Sequence, residues 1–510
     1  MEELQEKRQL SATPLLLAVG IIAICGIIYE LIIGAISSYL LGNSVKQYSI
    51  TIGLFMSAMG VGSYLTRYIK KDLFDTFILV ELTIGLAGGL SAILLFTAYG
   101  YTDFYHLVMY ITIILIGVLV GIEIPLLTRI IEGNENNLRM TIANVLSVDY
   151  IGALFGSLAF PLILLPNLGE IRTSFFVGML NILVALLILM YYKDYIKRNK
   201  TLMALASVML VVVLSGVIVG DQIGLKIEDR LYRDKIIYNE QTKYQKMILT
   251  QHKDDIRLYL DGNIQFSSLD EHRYHEALVH PAMELSDQRE KILILGGGDG
   301  LAARELLKYD DVEEITIVDL DPGVTELART NNLIVGLNKD SLNNEKVKVI
   351  NGDAFQFLES ANTLYNVIIV DLPDPNNESL NKLYTNVFYR LIGNKLDSGG
   401  VFVVQSTSPY YAKEAYWSIR KTVASEGFFT DGYHVNIPSF GDWGFTLASN
   451  SPLGEKTFDF EVPLKFLNEK TALSMFNFAE DEVLDLDQVE INSLTHPVLI
   501  RYYEAAWQNM

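Results

Sequence analysis

Up to about residue 220 the chain is built from long apolar runs, and beyond it from short ones. The long runs lie near 14–37, 48–66, 76–98, 104–128, 142–166, 171–192 and 201–220. Each is close to the ~20 residues that an α-helix needs to cross the hydrocarbon core of a bilayer. The pattern predicts about seven transmembrane helices. Core helices of a soluble domain rarely recur at this length with only short polar links between them. The first run is too long for a cleaved signal peptide and lacks a small-residue cleavage site.

Past Ile236 the period shortens. The segments KYQKMILTQ and IRLYLDGNIQF alternate apolar and polar residues around Asp254, Asp255 and Asp261 with Gly262, which predicts a small antiparallel hairpin sheet. Helical spacing follows through EHRYHEALVHPAM. From Lys291, strand and helix patterns take turns: KILIL, LAARELLKY, EITIVDL, KVKVI, NVIIVDL, a helix near 380–396, and GVFVVQS. This alternation predicts a doubly wound parallel sheet of the Rossmann-like, methyltransferase type. The expected organisation is an N-terminal all-α transmembrane bundle (1–220), a small β-hairpin domain (221–285), an α/β Rossmann-like domain (286–452) and a C-terminal helical appendage (453–510), the last acidic and aromatic.

Composition fits this division. Half of the 510 residues are hydrophobic and the mean hydropathy is +0.27, too apolar for an ordinary soluble chain. A net charge of −20 argues against a nucleic-acid partner, which would call for a basic face, and suits cationic small molecules. Cys25 stands alone in the first apolar run, so no disulfide framework or thiolate metal site can form. Lys7, Arg8, Arg67, Lys70, Lys71, Arg129, Arg139, Lys193, Lys197, Arg198 and Lys200 fall on one side if the helices alternate, against little beyond Lys46 and Arg172 on the other. The positive-inside rule then puts the N-terminus in the cytoplasm, and seven crossings would leave the α/β half outside. Glu30, Glu81, Glu123 and Asp149 lie within the apolar runs, where ionisable groups cost on the order of 3 kcal/mol each and face a bundle interior or cavity.

The stretch KILILGGGDG, Lys291 to Gly300, is a buried strand running into a glycine turn. Glycines such as Gly296 and Gly298 let the backbone approach a ligand closely. Asp299 inside the turn would repel phosphate, so the position suits a ligand that is cationic there, a sulfonium or an amine. Acids recur at the carboxyl ends of the strands, where an open parallel sheet places its ligands: Asp319 and Asp321 after the second, Asp353 after the third, Asp371 and Asp374 after the fourth. Asp319, about 20 residues beyond the glycine turn, suits ribose hydroxyls, and Asp353 an adenine amino group. A lone acid at a strand end is most often a helix cap. Four strand ends carrying acids in order weigh against that for the set as a whole.

KYQ (Lys243–Gln245), LYLDGNIQ (Leu258–Gln265), DEHRYHE (Asp270–Glu276), GGGDG (Gly296–Gly300), VDLD (Val318–Asp321), GDA (Gly352–Ala354) and DLPDP (Asp371–Pro375) together resemble the polyamine aminopropyltransferases, spermidine synthase and its relatives, in the membrane-anchored branch with a multi-span N-terminal domain. The resemblance covers roughly 234–450. It implies transfer of an aminopropyl group from decarboxylated S-adenosylmethionine, a co-substrate, to an amine such as putrescine, giving spermidine and methylthioadenosine, with no cofactor and no metal. It also implies nucleoside contacts by Gln245, Asp319, Asp353 and Ala354, an aminopropyl or amine contact by Asp299, and an amine site of Tyr274, His275, Asp371 and Asp374 with Asp371 as the proton acceptor. The chain departs from the family at three places. Asp319 stands where glutamate is common, no proline follows DLPDP closely, and IPSFGDWGF offers Phe440 and Trp443 where the family's amine-binding segment carries a tyrosine.

The chemistry agrees with those roles. An alkylammonium must lose a proton before its nitrogen can attack carbon, and a neighbouring carboxylate attracts the cation and accepts that proton. A sulfonium needs little activation, so alignment of nitrogen, carbon and sulfur does most of the work. His252, His272, His275 and His280 show no compact zinc spacing. Two alternatives stand beside this reading: a methyltransferase using S-adenosylmethionine, and a membrane polyamine transporter or sensor whose second half only binds. Expected partners are an amine, a sulfonium nucleoside and a lipid bilayer, and a homo-oligomer is compatible with the sequence. The expected location is the cell membrane, with the α/β half cytoplasmic because its substrates are metabolites, against the charge count over seven spans.

Overall fold

The computed structural model describes residues 12–135, 137–232, 234–454 and 456–508, and the chain forms two compact units, Met1–Ile236 and Ile237–Met510. Among the described residues of the first unit are seven long helices: α1 (Thr13–Leu41), α2 (Ser44–Leu65), α3 (Leu73–Tyr101), α4 (Tyr105–Glu135), α5 (Leu138–Ala159), α6 (Leu165–Tyr191) and α7 (Asn199–Leu231). By length and composition they give six stretches able to cross a membrane, because α5 and α6 join through the π-helical turn Phe160–Leu164 into one run of 54 residues. A straight helix of that length would measure about 80 Å, far beyond a core of ~30 Å. Gly169, at φ 65° and ψ −179°, breaks the run. The two limbs then run in opposite directions. α5 lies parallel to α1, with Gly152 against Gly20 and Gly156 against Ile24, and α6 lies antiparallel to α3, with Ser174 bonding at Gly89 and Asn181 at Glu81. Glycine at these crossings lets backbones touch: a Cβ on Gly121 would sit 2.1 Å from the Met59 carbonyl oxygen. α7 continues to Leu231, past the boundary expected at 220.

The second unit opens with β1 (Lys235–Gln241), β2 (Lys246–His252), β3 (Asp255–Leu260) and β4 (Asn263–Ser267), a sheet in that order with β2–β3 and β3–β4 antiparallel. α8 (Glu271–Leu285) leads into a seven-stranded sheet of β5 (Lys291–Gly296), β6 (Glu314–Asp319), β7 (Val347–Asn351), β8 (Tyr365–Asp371), β9 (Leu396–Gln405), β10 (Phe429–Ile437) and β11 (Gly441–Ser449), ordered β10-β11-β9-β8-β5-β6-β7. β5 to β9 are parallel; β5, β6, β8 and the second half of β9 are buried on both faces, which is why they read as continuous apolar runs, while the edge strand β7 stays partly exposed. β11 is antiparallel to β9 and β10. The link from Ile437 to Gly441, at φ 87°, is too short for a crossover and forces a hairpin.

Two expectations need correction. The helix near 380–396 is broken into a short α-helix Glu378–Asn381, a 3-10 turn Lys382–Tyr384 and an α-helix Asn386–Gly393, and it stops there because the chain enters β9 at Leu396. The segment 453–510 is not chiefly helical: its described residues hold only the α-helices Glu469–Ser474 and Val498–Gln508. Its extended part is pinned instead, with the Lys465, Phe466 and Leu467 amides donating to the Glu276 carboxylate and Phe458 stacked on Phe476.

Candidate active site

The strand register brings the acids to one level. Gly296 at the end of β5 pairs with Asp371 at the end of β8, and Asp319 at the end of β6 pairs with Asn351 at the end of β7. The strand order changes direction on either side of β5, which opens a crevice at these carboxyl ends. The glycine turn presses into it. Gly296 and Gly297 have φ of 85° and 62°, and a Cβ on Gly296 would lie 1.9 Å from the Asp371 carbonyl oxygen. A Cβ on Gly298 would lie 2.5 Å from Asp319 Oδ2, which the Gly298 amide bonds at 3.0 Å.

The acids divide into two groups. Asp321 and Asp353 cap the helices that follow, accepting from the amides of Gly323 and Phe355, and Asp299, one residue before the N-cap Gly300, accepts from the Leu301 amide. Asp319, Asp371 and Asp374 cap nothing. Asp319 accepts from the amides of Gly298 and Asp321, Asp371 Oδ1 accepts from the Tyr274 hydroxyl at 2.6 Å, and Asp374 accepts from Gln405 Nε2 at 3.2 Å and Thr407 Oγ1 at 3.3 Å. Burial raises all three carboxyls to about 6, against the hydrogen bonds that favour their charged forms. For Asp371 the charge of His275 also lowers the value and that of Asp299 raises it, so Tyr274, His275, Asp299 and Asp371 share one electrostatic neighbourhood.

His275 is tied by Nδ1 to the backbone oxygen and Oε2 of Glu271, at 2.8 and 3.0 Å. Arg304 grips both Glu271 oxygens at 2.9 and 2.8 Å. Burial would lower the His275 value, but the Glu271 hydrogen bond and the charges of Asp299, Glu271 and Asp371 hold it at about 9. The imidazolium therefore offsets part of the acidic ring. Gln245 Nε2 donates to Asp321 Oδ2 at 3.1 Å, beside Asp319. Asp353 Oδ2 pairs with Lys382 Nζ at 2.6 Å, and Ala354 starts the helix that Asp353 caps. Phe440 does stand at the site, its ring 5.9 Å from that of Tyr274 and 5.4 Å from that of Trp443.

Sequence reasoning missed Glu271, Arg304, Lys382, Gln405, Thr407 and Tyr503. Glu271 left a signal, one helical turn before His275 inside DEHRYHE. Thr407 left none: it sits at φ 57°, a strained value for a β-branched residue, and its carbonyl accepts from the Gly444 amide at 2.7 Å. Tyr503, from the helix Val498–Gln508, adds a hydroxyl bond to Asp374. The one grouping of metal-ligand type among the described residues, His434, Asp442 and Glu482, shares no residue with this ring, and both His434 nitrogens are already bonded, to Asp442 and the Asn477 oxygen.

Comparison with known proteins follows the same lines. Residues 271–460 match the model of the Spermine/spermidine synthase domain, a class of transferases. The polyamine aminopropyltransferase of Oceanobacillus iheyensis is 44% identical, the alignment covering 96% of each chain. That of Leptospira interrogans is also 44% identical, over 98% of this chain and 99% of its own. Similarity thus runs through both units. A solved spermidine synthase in complex with the transition state analogue AdoDATO is 28% identical over 48% of this chain and 85% of its own, with a TM-score of 0.45. The chain belongs to the polyamine aminopropyltransferases. It is an enzyme of the transferase type, and the methyltransferase and binding-only alternatives give way.

Proposed function

We propose that the chain moves the aminopropyl group of decarboxylated S-adenosylmethionine to putrescine or a closely related amine, with Asp371 as the base. The amine nitrogen forms a bond to the methylene carbon next to sulfur, the carbon–sulfur bond breaks with its electron pair passing to sulfur, and the ammonium proton goes to Asp371. The observation that carries this is the Tyr274–Asp371 bond of 2.6 Å beside Asp299. A carboxyl raised to about 6 is ionised at neutral pH yet basic enough to accept a proton. Asp319, Gln245, Asp353 and Ala354 hold the nucleoside in this reading, with Lys382 swinging away from Asp353 as adenine arrives, and Asp374 and Phe440 shape the acceptor end. The experiment is incubation of the purified protein with decarboxylated S-adenosylmethionine and a panel of diamines, with products identified by mass. Failure to form methylthioadenosine with every diamine would overturn it.

A pH dependence follows. Protonated Asp371 cannot take the ammonium proton, so kcat/KM is expected to fall about tenfold per unit as pH drops below about 6. A profile flat through that region would place the base elsewhere.

We infer also that the helical unit spans the cell membrane several times. Large apolar side chains are exposed along its helices, Leu17 at 66%, Met56 at 64% and Ile218 at 71% among them, which suits lipid contact. The supply of the nucleoside inside cells favours a cytoplasmic second unit, whereas seven alternating limbs and the lysine and arginine pattern favour the opposite side. A single cysteine introduced at exposed Lys339 should resist a membrane-impermeant maleimide in intact cells and react after lysis. Labelling of intact cells would reverse the orientation.

A further inference from the structure

Two glutamates of the helical unit have no part in the chemistry above. Glu81 on α3 is 0% exposed and Glu123 on α4 is 1% exposed. Their carboxyls lie within hydrogen-bonding reach of each other, and Oε1 of each receives no bond from any donor. Glu81 Oε2 accepts from Asn181 Nδ2 at 2.9 Å, and Asn181 Oδ1 accepts from the Tyr29 hydroxyl at 3.0 Å. The other titratable groups that act on this pair by charge are Cys25 on α1 and Asp149 on α5. Among the described residues no lysine, arginine or histidine interacts with either carboxyl. An ionised carboxylate has only acceptors, so two of them in contact away from water repel without any compensating bond. One proton between them turns the contact into a donor–acceptor pair and removes one charge.

We propose that Glu81 and Glu123 form a proton-binding site at the centre of the helical unit, holding a single proton between their facing oxygens. The packing around them favours a proton over a larger cation: a Cβ on Gly88 would meet the Tyr29 ring at 2.3 Å, and one on Gly85 would meet the Gly178 carbonyl oxygen at 2.8 Å. The site also has neighbours able to pass a proton on. The line Tyr29–Asn181–Glu81–Glu123 joins α1, α6, α3 and α4 through consecutive polar contacts, and Asp149 extends its electrostatic reach to α5. Chains of this type inside apolar bundles are the material of proton relays. The helical unit thus carries a site of its own, whatever the second unit transfers.

The test is infrared difference spectroscopy on the full-length protein at neutral pH, wild type against the double variant E81Q/E123Q, with melting temperature as the check on folding. The wild type is expected to show the C=O stretch of one unionised carboxyl, shifted in D2O, and the double variant to lose it. E123Q alone, which places an amide donor opposite Glu81, is expected to lose the same band and serves if the double variant does not fold. A wild type in which these glutamates contribute only carboxylate bands overturns the proposal. So does a band abolished at constant pH by sodium or by spermidine, which would assign the site to another cation.

Discussion

Asp371→Asn is expected to lower kcat by about 10²- to 10⁴-fold, the usual contribution of a positioned general base, while leaving the fold intact. Asparagine can still accept the Tyr274 hydroxyl bond, now 2.6 Å to Oδ1, and its volume matches, so the pocket keeps its shape. What it cannot do is take a proton from an ammonium. Removing that charge also leaves His275, held at about 9 by Glu271, Asp299 and Asp371, less balanced against the incoming cations, so amine KM should rise as well. Product formation followed by mass, at saturating and limiting amine, separates the two effects. A variant with near wild-type turnover would show that the amine arrives already neutral or that another group takes its proton.

Glu271→Gln is expected to cost about 3–5 kcal/mol of stability, the penalty for breaking a buried ion pair from one side. Glu271 is 4% exposed and is gripped by Arg304 through both oxygens and by His275 through Nδ1. Although burial alone would raise it, bonds to His275 and Arg304 hold its carboxyl at about 2, against an ordinary 4.5. The folded value is depressed, so this stabilisation is present above pH 4.5 and is lost as pH falls through about 2. His275 is the opposite case: its folded value is raised to about 9 from 6.5, so its share is present below 6.5 and lost as pH rises through 9. Glutamine removes the depressed carboxyl altogether and the Glu271 share of the His275 shift, leaving the charges of Asp299 and Asp371. Denaturant melts across pH should show the wild type declining at both ends and the variant with a shallower alkaline limb. Unchanged stability would mean that Arg304 finds another partner, with Glu305 at 2.9 Å the candidate.

How far the sequence revealed this molecule depended on the range of each interaction. The parallel strands were legible because burial on both faces demands unbroken apolar runs, and the acid after each strand was legible because the sheet delivers its ligands there. The break in the helical run was legible too: Gly169 falls in the polar gap between the runs 142–166 and 171–192. Which strand-end acids cap and which face the crevice was not, since Asp299 and Asp319 read alike until the Gly298 amide is seen to bond the second and the Leu301 amide the first. Arg304 stands 33 residues from Glu271 and Lys382 stands 29 from Asp353, and no local pattern encodes such pairings. The hairpin of β10 and β11 was hidden because FTDGYHVNI and GDWGFTLAS carry glycines and polar residues that weaken the strand pattern.

Tyr503 sits in the last helix of the chain, yet its hydroxyl bonds Asp374 in the middle of the α/β fold. A chain cut before Val498 is therefore expected to keep Asp319 and Asp371 where the strands deliver them, while Asp374 is left to Gln405 and Thr407 alone.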